Sequence, residues 1–300
     1  MYDLIVVKLP VERSNFAITE TRLKDWVYCW SGNVITAVTL IKRTKREREG
    51  FMVHSYLENS HKLGLIVDVL TIASELMVSA RTNYRVYEGE SSLTRKLLTA
   101  SELDTTIWQE IASRPLIEQG SDTNEYPIRI NPNVSHNFHQ EATDLITHIL
   151  TSINPRKLIA TNLKLLNYWR RGFDLDEFQY KDESFLDYYK VLEYFKNRGR
   201  GASAGEKILD GAESTQRDET LIEFLNDVND MRNNFDIAHV RIRPLPAERT
   251  GALNFAYMPG WWDYHHDLQA FARLTVLKRL GVEELVLKSS GGLLHLELDS

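Results

Sequence analysis

Between Asp218 and Arg243 the sequence DETLIEFLNDVNDMRNNFDIAHVRIR reads as one amphipathic helix whose apolar stripe contains an arginine and a histidine. At roughly 100° per residue, Leu221, Leu225, Val228, Met231, Phe235 and Ala238 share one sector, which demands a second apolar surface to cover it. Arg232 and His239 fall inside that sector. Their spacing sets them roughly 20° from eclipse and about 10.5 Å apart along the axis. Burying an unpaired charge is costly, so the pair needs partners or a task.

Either answer requires a chain large enough to carry such a helix in a core. With 300 residues, a hydrophobic share of 43% and a charged share of 26%, the composition is that of an ordinary soluble protein with one or two domains. A formal charge of -6 argues against a nonspecific nucleic-acid coat but leaves room for a local basic site. The single cysteine, Cys29, excludes an internal disulfide and a cysteine zinc site. The apolar run at the start, Leu4 to Val7, is too short for a signal-peptide core or a membrane span. The expectation is a cytoplasmic protein with no membrane partner.

The period along the chain divides it in two. Up to about Glu125, short β-branched and aromatic runs predict strands over Leu4–Leu9, Trp26–Trp30, Val34–Ile41, Phe51–Tyr56 and Tyr84–Tyr87, with a turn at Ser31-Gly32-Asn33. Leu63 to Ala80 fits either one helix or a strand pair, and a strand followed by a helix is the reading adopted. The charged connector Lys42–Gly50 is read as a solvated hairpin loop rather than a phosphate grip. The turn-rich stretch Glu118–Val134 marks a boundary. The fold class expected is therefore α+β, with a β-rich domain over residues 1–134, a helical domain over 135–282 and a tail over 283–300.

In the second half the helical period predicts helices over Asn137–Ile153, Arg156–Arg171 (ended by Gly172), Glu183–Arg198 and Asp263–Leu280 (ended by Gly281). Glu193 stands among aromatic residues on the face of the third of these. Asn197 to Ala212, with four glycines, is read as a mobile loop in which Arg198, Arg200 and Lys207 are candidates for touching a polyanion such as RNA. Its glycines lack the phosphate-loop spacing and follow no strand. Thr215 and Asp218 are the candidate N-terminal cap of the stripe helix, and the tail predicts a hairpin around Ser289–Gly292.

Three kinds of chemistry can be set aside. The histidine pairs His136/His139 and His265/His266 come without an HExxH or an acidic partner at ligand spacing, so no metal and no cofactor is expected. No G-x-S-x-G elbow is present, and Cys29 lies in an apparent strand. Arg232 and His239 remain: a histidine near neutrality can accept and return a proton, and an arginine can hold charge that builds on a phosphoryl group. RNA cleavage by its own 2'-hydroxyl needs little more. It yields a 2',3'-cyclic phosphate and a 5'-hydroxyl end without a metal.

Arg232, the polar Asn233, five further residues and then His239 resemble the motif of the HEPN family, an arginine and a histidine separated by four to six residues, here at the long end. The segments ESFLDYYKVLEYF and DLQAFARLTVLKRLG are also similar to its Apea-like branch and to methylamine-utilisation J-type proteins. The resemblance covers residues 137–281, about half the chain. It implies an antiparallel helical bundle that forms a homodimer, with two arginine-histidine pairs meeting in one cleft. In that cleft His239 would carry the proton, Arg232 would hold the phosphate and Asn233 would orient or bind. It also implies a setting in bacterial toxins or anti-phage defence, with tRNA or mRNA as substrate.

A structural reading stands beside this one. Arg232 can pair with Glu193 or Asp236 in a buried bridge while His239 bonds a carbonyl at the helix end. The protein would then be a non-catalytic dimerisation or nucleotide-binding module, or an accessory protein of methylamine utilisation. Trp169, Arg170, Arg171, Trp261 and Trp262 can stack bases, but core or rim packing suits each better.

Overall fold

The structure is a computed structural model, and it describes residues 2–12, 19–23, 26–31, 34–42, 55–76, 84–87, 96, 106–107, 110, 136–137, 140–214, 216–234, 261–290 and 292–299. These form two compact units, Met1–Thr151 and Ser152–Ser300.

In the first unit the backbone pairs β1 (Tyr2–Glu12), β2 (Thr19–Leu23), β3 (Trp26–Ser31), β4 (Val34–Lys42) and β5 (Tyr84–Tyr87) in the antiparallel order β2-β3-β4-β1-β5. The two-residue strand β6 (His136–Asn137) joins β1 in parallel. Ser31 pairs with Val34, as a tight connection between β3 and β4 requires. The same unit contains α1 (Ser55–Ser74) and nearly all of α2 (Gln140–Ser152). Ile66, Val69, Leu70, Ile72 and Ala73 of α1 are wholly buried. The Thr71 and Ser74 hydroxyls return to the carbonyls of Val67 and Leu70, at 2.9 and 2.6 Å, so no polar group on this stretch is left dry and unmatched.

The α+β division expected from the sequence is corrected by these elements. The described residues are mainly helical, with seven α-helices, two of them lying in or reaching into the first unit. The sheet whose side chains are described is the small antiparallel β7–β8 pair at the C-terminus, β7 being Leu285–Ser290 and β8 Leu293–Leu298. Leu63 to Ser74 is helix rather than strand, and Ser55 and Tyr56 open that helix rather than close a strand. The physical reason is that nearly every residue from Ile66 to Ser74 is buried, which erases over that stretch the 3.6-residue alternation that marks a half-exposed helix. The charged connector over residues 43–50 and the turn-rich stretch over 118–134 lie outside the described residues.

The second unit is built on α3 (Ala160–Glu177) and α4 (Lys181–Lys196), an antiparallel pair joined through Phe178, Gln179 and Tyr180. A 3-10 turn, Pro155–Lys157, precedes α3. Gln179 takes a positive φ of 65°, and the Tyr180 N–H reaches back 2.8 Å to the Leu175 carbonyl, closing α3 in a Schellman turn. Gly172 does not stop the helix. A Cβ there would lie 2.8 Å from the Tyr188 ring, so this glycine lets α4 press against α3. The core of the pair comprises Trp169, Phe185, Tyr188, Tyr189 and Phe195. A brace at its edge joins Arg171 and Lys190 to Asp187, whose side chain is 2% exposed. Burial pushes the Asp187 carboxyl up, but hydrogen bonds from Arg171 and Lys190 outweigh it and hold it below the usual carboxylate range.

Asn197 to Ala212 is loop only as far as Ser203, and its second half is helix. Ser203 caps α5 (Ala204–Gly211) in a reciprocal capping box with Glu206, and Ile208 and Leu209 are buried. α6 (Glu219–Asn234) follows, with Asp218 Oδ1 accepting the Leu221 N–H at 2.8 Å as its cap, while Thr215 lies outside the described residues. The last helix, α7 (Trp261–Arg279), packs on α3, α4 and the β7–β8 hairpin, and Gly281 ends it at φ 98°. Among the described residues no helix is long and apolar enough to cross a membrane.

Candidate functional site

The stripe on α6 is a true core face through its first three turns. Leu225 and Val228 are wholly buried, and Leu221 and Met231 are each 7% exposed. Arg232 begins where that burial ends, in the last described turn, and its side chain keeps 27% of its surface open. A terminal Nη of Arg232 meets Glu193 Oε1 of α4 at 3.3 Å, and the other donates to Asn233 Oδ1 at 2.9 Å. The guanidinium also stands 5.6 Å from the centre of the Tyr189 ring.

Tyr189 is fixed from beneath. Its hydroxyl donates to Asn229 Oδ1 at 2.8 Å, and Lys196 Nζ donates to the same oxygen at 2.6 Å. Burial pushes the Tyr189 phenol up to about 12, against the pull of the Arg232 charge. The result is a neutral phenol that anchors α4 to α6 under a cation. Asn229 escaped the sequence reading, although its position three before Arg232 puts both on one helix face.

Glu193 is the partner expected for Arg232, but the bridge is half open, with the carboxylate side chain 39% exposed. A pair so placed orients the guanidinium without sealing it, and its net worth is modest. An approaching phosphate can therefore compete with Glu193 for the free edge of Arg232. Residues 235–243, including Asp236 and His239, lie outside the described residues.

No protein-family model, curated protein or solved structure matches this chain.

The other sequence candidates separate. Trp169 is core, wholly buried, with its indole N–H donating to the Gln269 carbonyl at 3.3 Å. Arg170 pairs with Asp174 at 2.9 Å, and Arg171 belongs to the Asp187 brace. The side chains of Trp261 and Trp262 are outside the described residues. Arg198 is exposed and lies 3.5 Å over the Tyr194 ring, close to Glu193, whereas Arg200 is exposed beyond the helix end and Lys207 is half-buried on α5. These three cations do not form one cluster with Arg232 in any contact that the structure records. Among the described residues no group of three or more His, Cys, Asp or Glu could hold a metal ion.

His265 and Ser184 invite a nucleophile reading that the geometry refuses. His265 Nε2 lies 3.1 Å from Ser184 Oγ, but the nearest carboxylate, Asp176, faces the same nitrogen at 3.9 Å rather than Nδ1. Ser184 is fully buried and His265 3% exposed, so no substrate reaches them. Their role is structural, and it is pH-dependent. Burial lowers the His265 pKa from 6.5 to about 4, with Asp176 opposing and Lys181 and His266 assisting. In the unfolded chain His265 gains its proton near 6.5, so the unfolded state binds more protons between there and about 4. Stability is thus intact above pH 6.5 and falls as the pH drops toward 4, by about 3 kcal/mol from this group. Urea midpoints measured across that range are expected to fall for the wild type. They should fall distinctly less for His265→Gln, and equal slopes would contradict the assignment.

Proposed function

We propose that this chain is a metal-independent endoribonuclease of the HEPN kind, active as a homodimer on tRNA or mRNA in a toxin or anti-phage setting. The observation that supports it is Arg232 itself: a cation at the end of a buried stripe, partly open, and held by Glu193, Asn233 and Tyr189 rather than enclosed. The resemblance around Arg232-Asn233 and His239 supplies the rest.

In this reaction the ribose 2'-oxygen forms a bond to phosphorus and the bond to the 5'-oxygen breaks. His239 serves as the proton carrier, its neutral imidazole accepting the proton of the 2'-hydroxyl as that oxygen attacks and the resulting imidazolium returning it to the departing 5'-oxygen. Arg232 balances the charge that develops on the non-bridging oxygens, and Asn233 holds the guanidinium edge. A second copy of the Arg232–His239 motif facing the first, as the resemblance implies, would bring two arginine-histidine pairs to one cleft.

One observation favours a different reading. The Glu193 bridge partly neutralises Arg232, as a non-catalytic dimerisation or nucleotide-binding module would tolerate. Incubating purified protein with total tRNA and mRNA in EDTA separates the two. Wild type is expected to cleave, and Arg232→Ala and His239→Ala are each expected to lose about a hundredfold or more of the rate. Cleavage that needs added metal, or that survives both substitutions, would overturn the proposal.

A further inference from the structure

Cations and tyrosines alternate along one seam of the α3–α4 pair. Lys164 and Tyr168 stand a four-residue step apart on α3, and Lys190, Tyr194 and Arg198 follow at the same step along α4 and just past its end, each step advancing about 6 Å. With Glu193 they line a groove of about 490 Å³. The Lys164 and Lys190 ammonium groups, one from each helix, lie 5.7 and 5.4 Å from the centre of the Tyr168 ring, and the Arg171 guanidinium lies 5.9 Å from it. Arg198 lies over Tyr194 at 3.5 Å.

The seam is positive on a chain whose formal charge is -6. Lys190 and Arg171 share one carboxylate, Asp187. Glu193, the carboxylate of the lining, is engaged by Arg232 at 3.3 Å. Lys164 is exposed and has no carboxylate partner among the described residues, and Arg198 is held by the Tyr194 ring and carbonyl rather than by an acid. The groove also reaches Ala160 and Thr161 in the first turn of α3, where the cap residue Ile159 makes no side-chain hydrogen bond, so the positive helix end adds to the field.

We infer that this groove docks an extended acidic segment of a partner protein, one with carboxylates at alternate positions. The spacing and sign of the seam carry the assignment. Two residues of extended chain advance about 6.6 Å and return the side chain to the same side, close to the roughly 6 Å between successive groups on each helix. Alternate carboxylates therefore meet successive cations, and the Tyr168 and Tyr194 rings between them give apolar surface to the intervening methylene groups. The cations are strung along the seam rather than gathered on one point, which suits several single charges better than one multiply charged group. Glu193 favours a peptide over a nucleic-acid strand: peptide N–H groups can donate to it, whereas a run of phosphates brings like charge and only acceptors. The inference does not depend on the ribonuclease reading, because none of Lys164, Tyr168, Lys190, Tyr194 and Arg198 belongs to the Arg232–His239 motif.

Fluorescence anisotropy of a labelled heptapeptide that alternates glutamate and alanine, titrated with the full chain, tests it. Saturable binding is expected, weakening as sodium chloride is raised. The same peptide with glutamine for glutamate should bind about tenfold or more weakly, and an isomer with its glutamates in one block about threefold or more weakly. Lys164→Glu should weaken the alternating peptide by about tenfold or more, and Lys164→Arg by less than about threefold. Lys288→Glu makes the same charge change on the β7–β8 hairpin, outside the lining, and should leave the affinity within about twofold. Both lysines are exposed, and circular dichroism checks that each variant is folded. Equal binding of the block isomer would reduce the seam to a nonspecific positive patch. Equal losses in Lys164→Glu and Lys288→Glu would place the peptide elsewhere, and displacement by a short oligouridylate at lower concentration than by unlabelled peptide would make the groove a nucleic-acid track. Each of these results overturns the inference, as would the absence of saturable peptide binding.

Discussion

Trp169→Ala is expected to remove about 3–5 kcal/mol of stability, the range for emptying a large aromatic site in a packed core. Trp169 is wholly buried at the point where three helices meet. It stacks on Phe173 of its own helix at 5.3 Å and 17°, stands 6.5 Å from Tyr188 of α4, and donates its indole N–H to the Gln269 carbonyl of α7. The surroundings cannot collapse into the gap, because Gly172 already presses against Tyr188 and leaves no slack between α3 and α4. A domain holds only about 5–15 kcal/mol in all, so the variant should unfold at a much lower urea midpoint with an unchanged slope. A loss under about 1 kcal/mol would contradict this account of the core.

Gly211→Ala is the second large effect, and its sign is the informative part. Replacing a helical glycine by alanine normally stabilises by about 1 kcal/mol. At Gly211, however, the added Cβ would lie 2.1 Å from the Phe195 carbonyl oxygen and 3.0 Å from the Gly199 amide nitrogen. Those are backbone atoms of the α4 end, and they cannot rotate aside. The same crossing is met from the other direction at Gly199, whose Cβ would fall 1.7 Å from the Lys207 carbonyl oxygen. The clash should therefore win, with a net loss of about 2 kcal/mol or more. Gly64 in α1 is the control, because a Cβ there meets nothing within 4 Å. Gly64→Ala should stabilise by roughly 0.5–1 kcal/mol. If the two substitutions shifted stability in the same direction, close helix approach would not be what these glycines provide.

Those glycines also explain what could be read from the chain and what could not. The α6 stripe and the Gly281 stop of α7 were legible because each rests on local pattern: a 3.6-residue period with one exposed face, and a glycine in left-handed conformation. Gly199, Gly205 and Gly211 carry the same letter for a different reason. They admit a neighbouring backbone, and only the neighbour's position reveals this, so four glycines in sixteen residues point to a loop where α5 stands. Gly172 misled in the same way at α3. α1 is obscured from the other side, since near-continuous burial from Ile66 to Ser74 leaves no alternation to detect, and with it goes the expected β-rich domain.

The site divides along the same line. Pairing of Arg232 with Glu193 was foreseeable from two charges on two apolar faces, whereas its half-open state is a matter of where the core ends. The groove between α3 and α4 could not be foreseen from either helix alone, although the repeated lysine-tyrosine spacing is visible once the helices are known to face each other.

In the proposed reaction the ribose supplies the nucleophile and the protein supplies Arg232 and His239. Mass spectrometry of the ends left on a synthetic RNA by the wild-type protein in EDTA tests it most directly. The expected products are 2',3'-cyclic phosphate and 5'-hydroxyl ends, absent with Arg232→Ala. Ends bearing 3'-hydroxyl and 5'-phosphate, or intact RNA under all conditions, would contradict it.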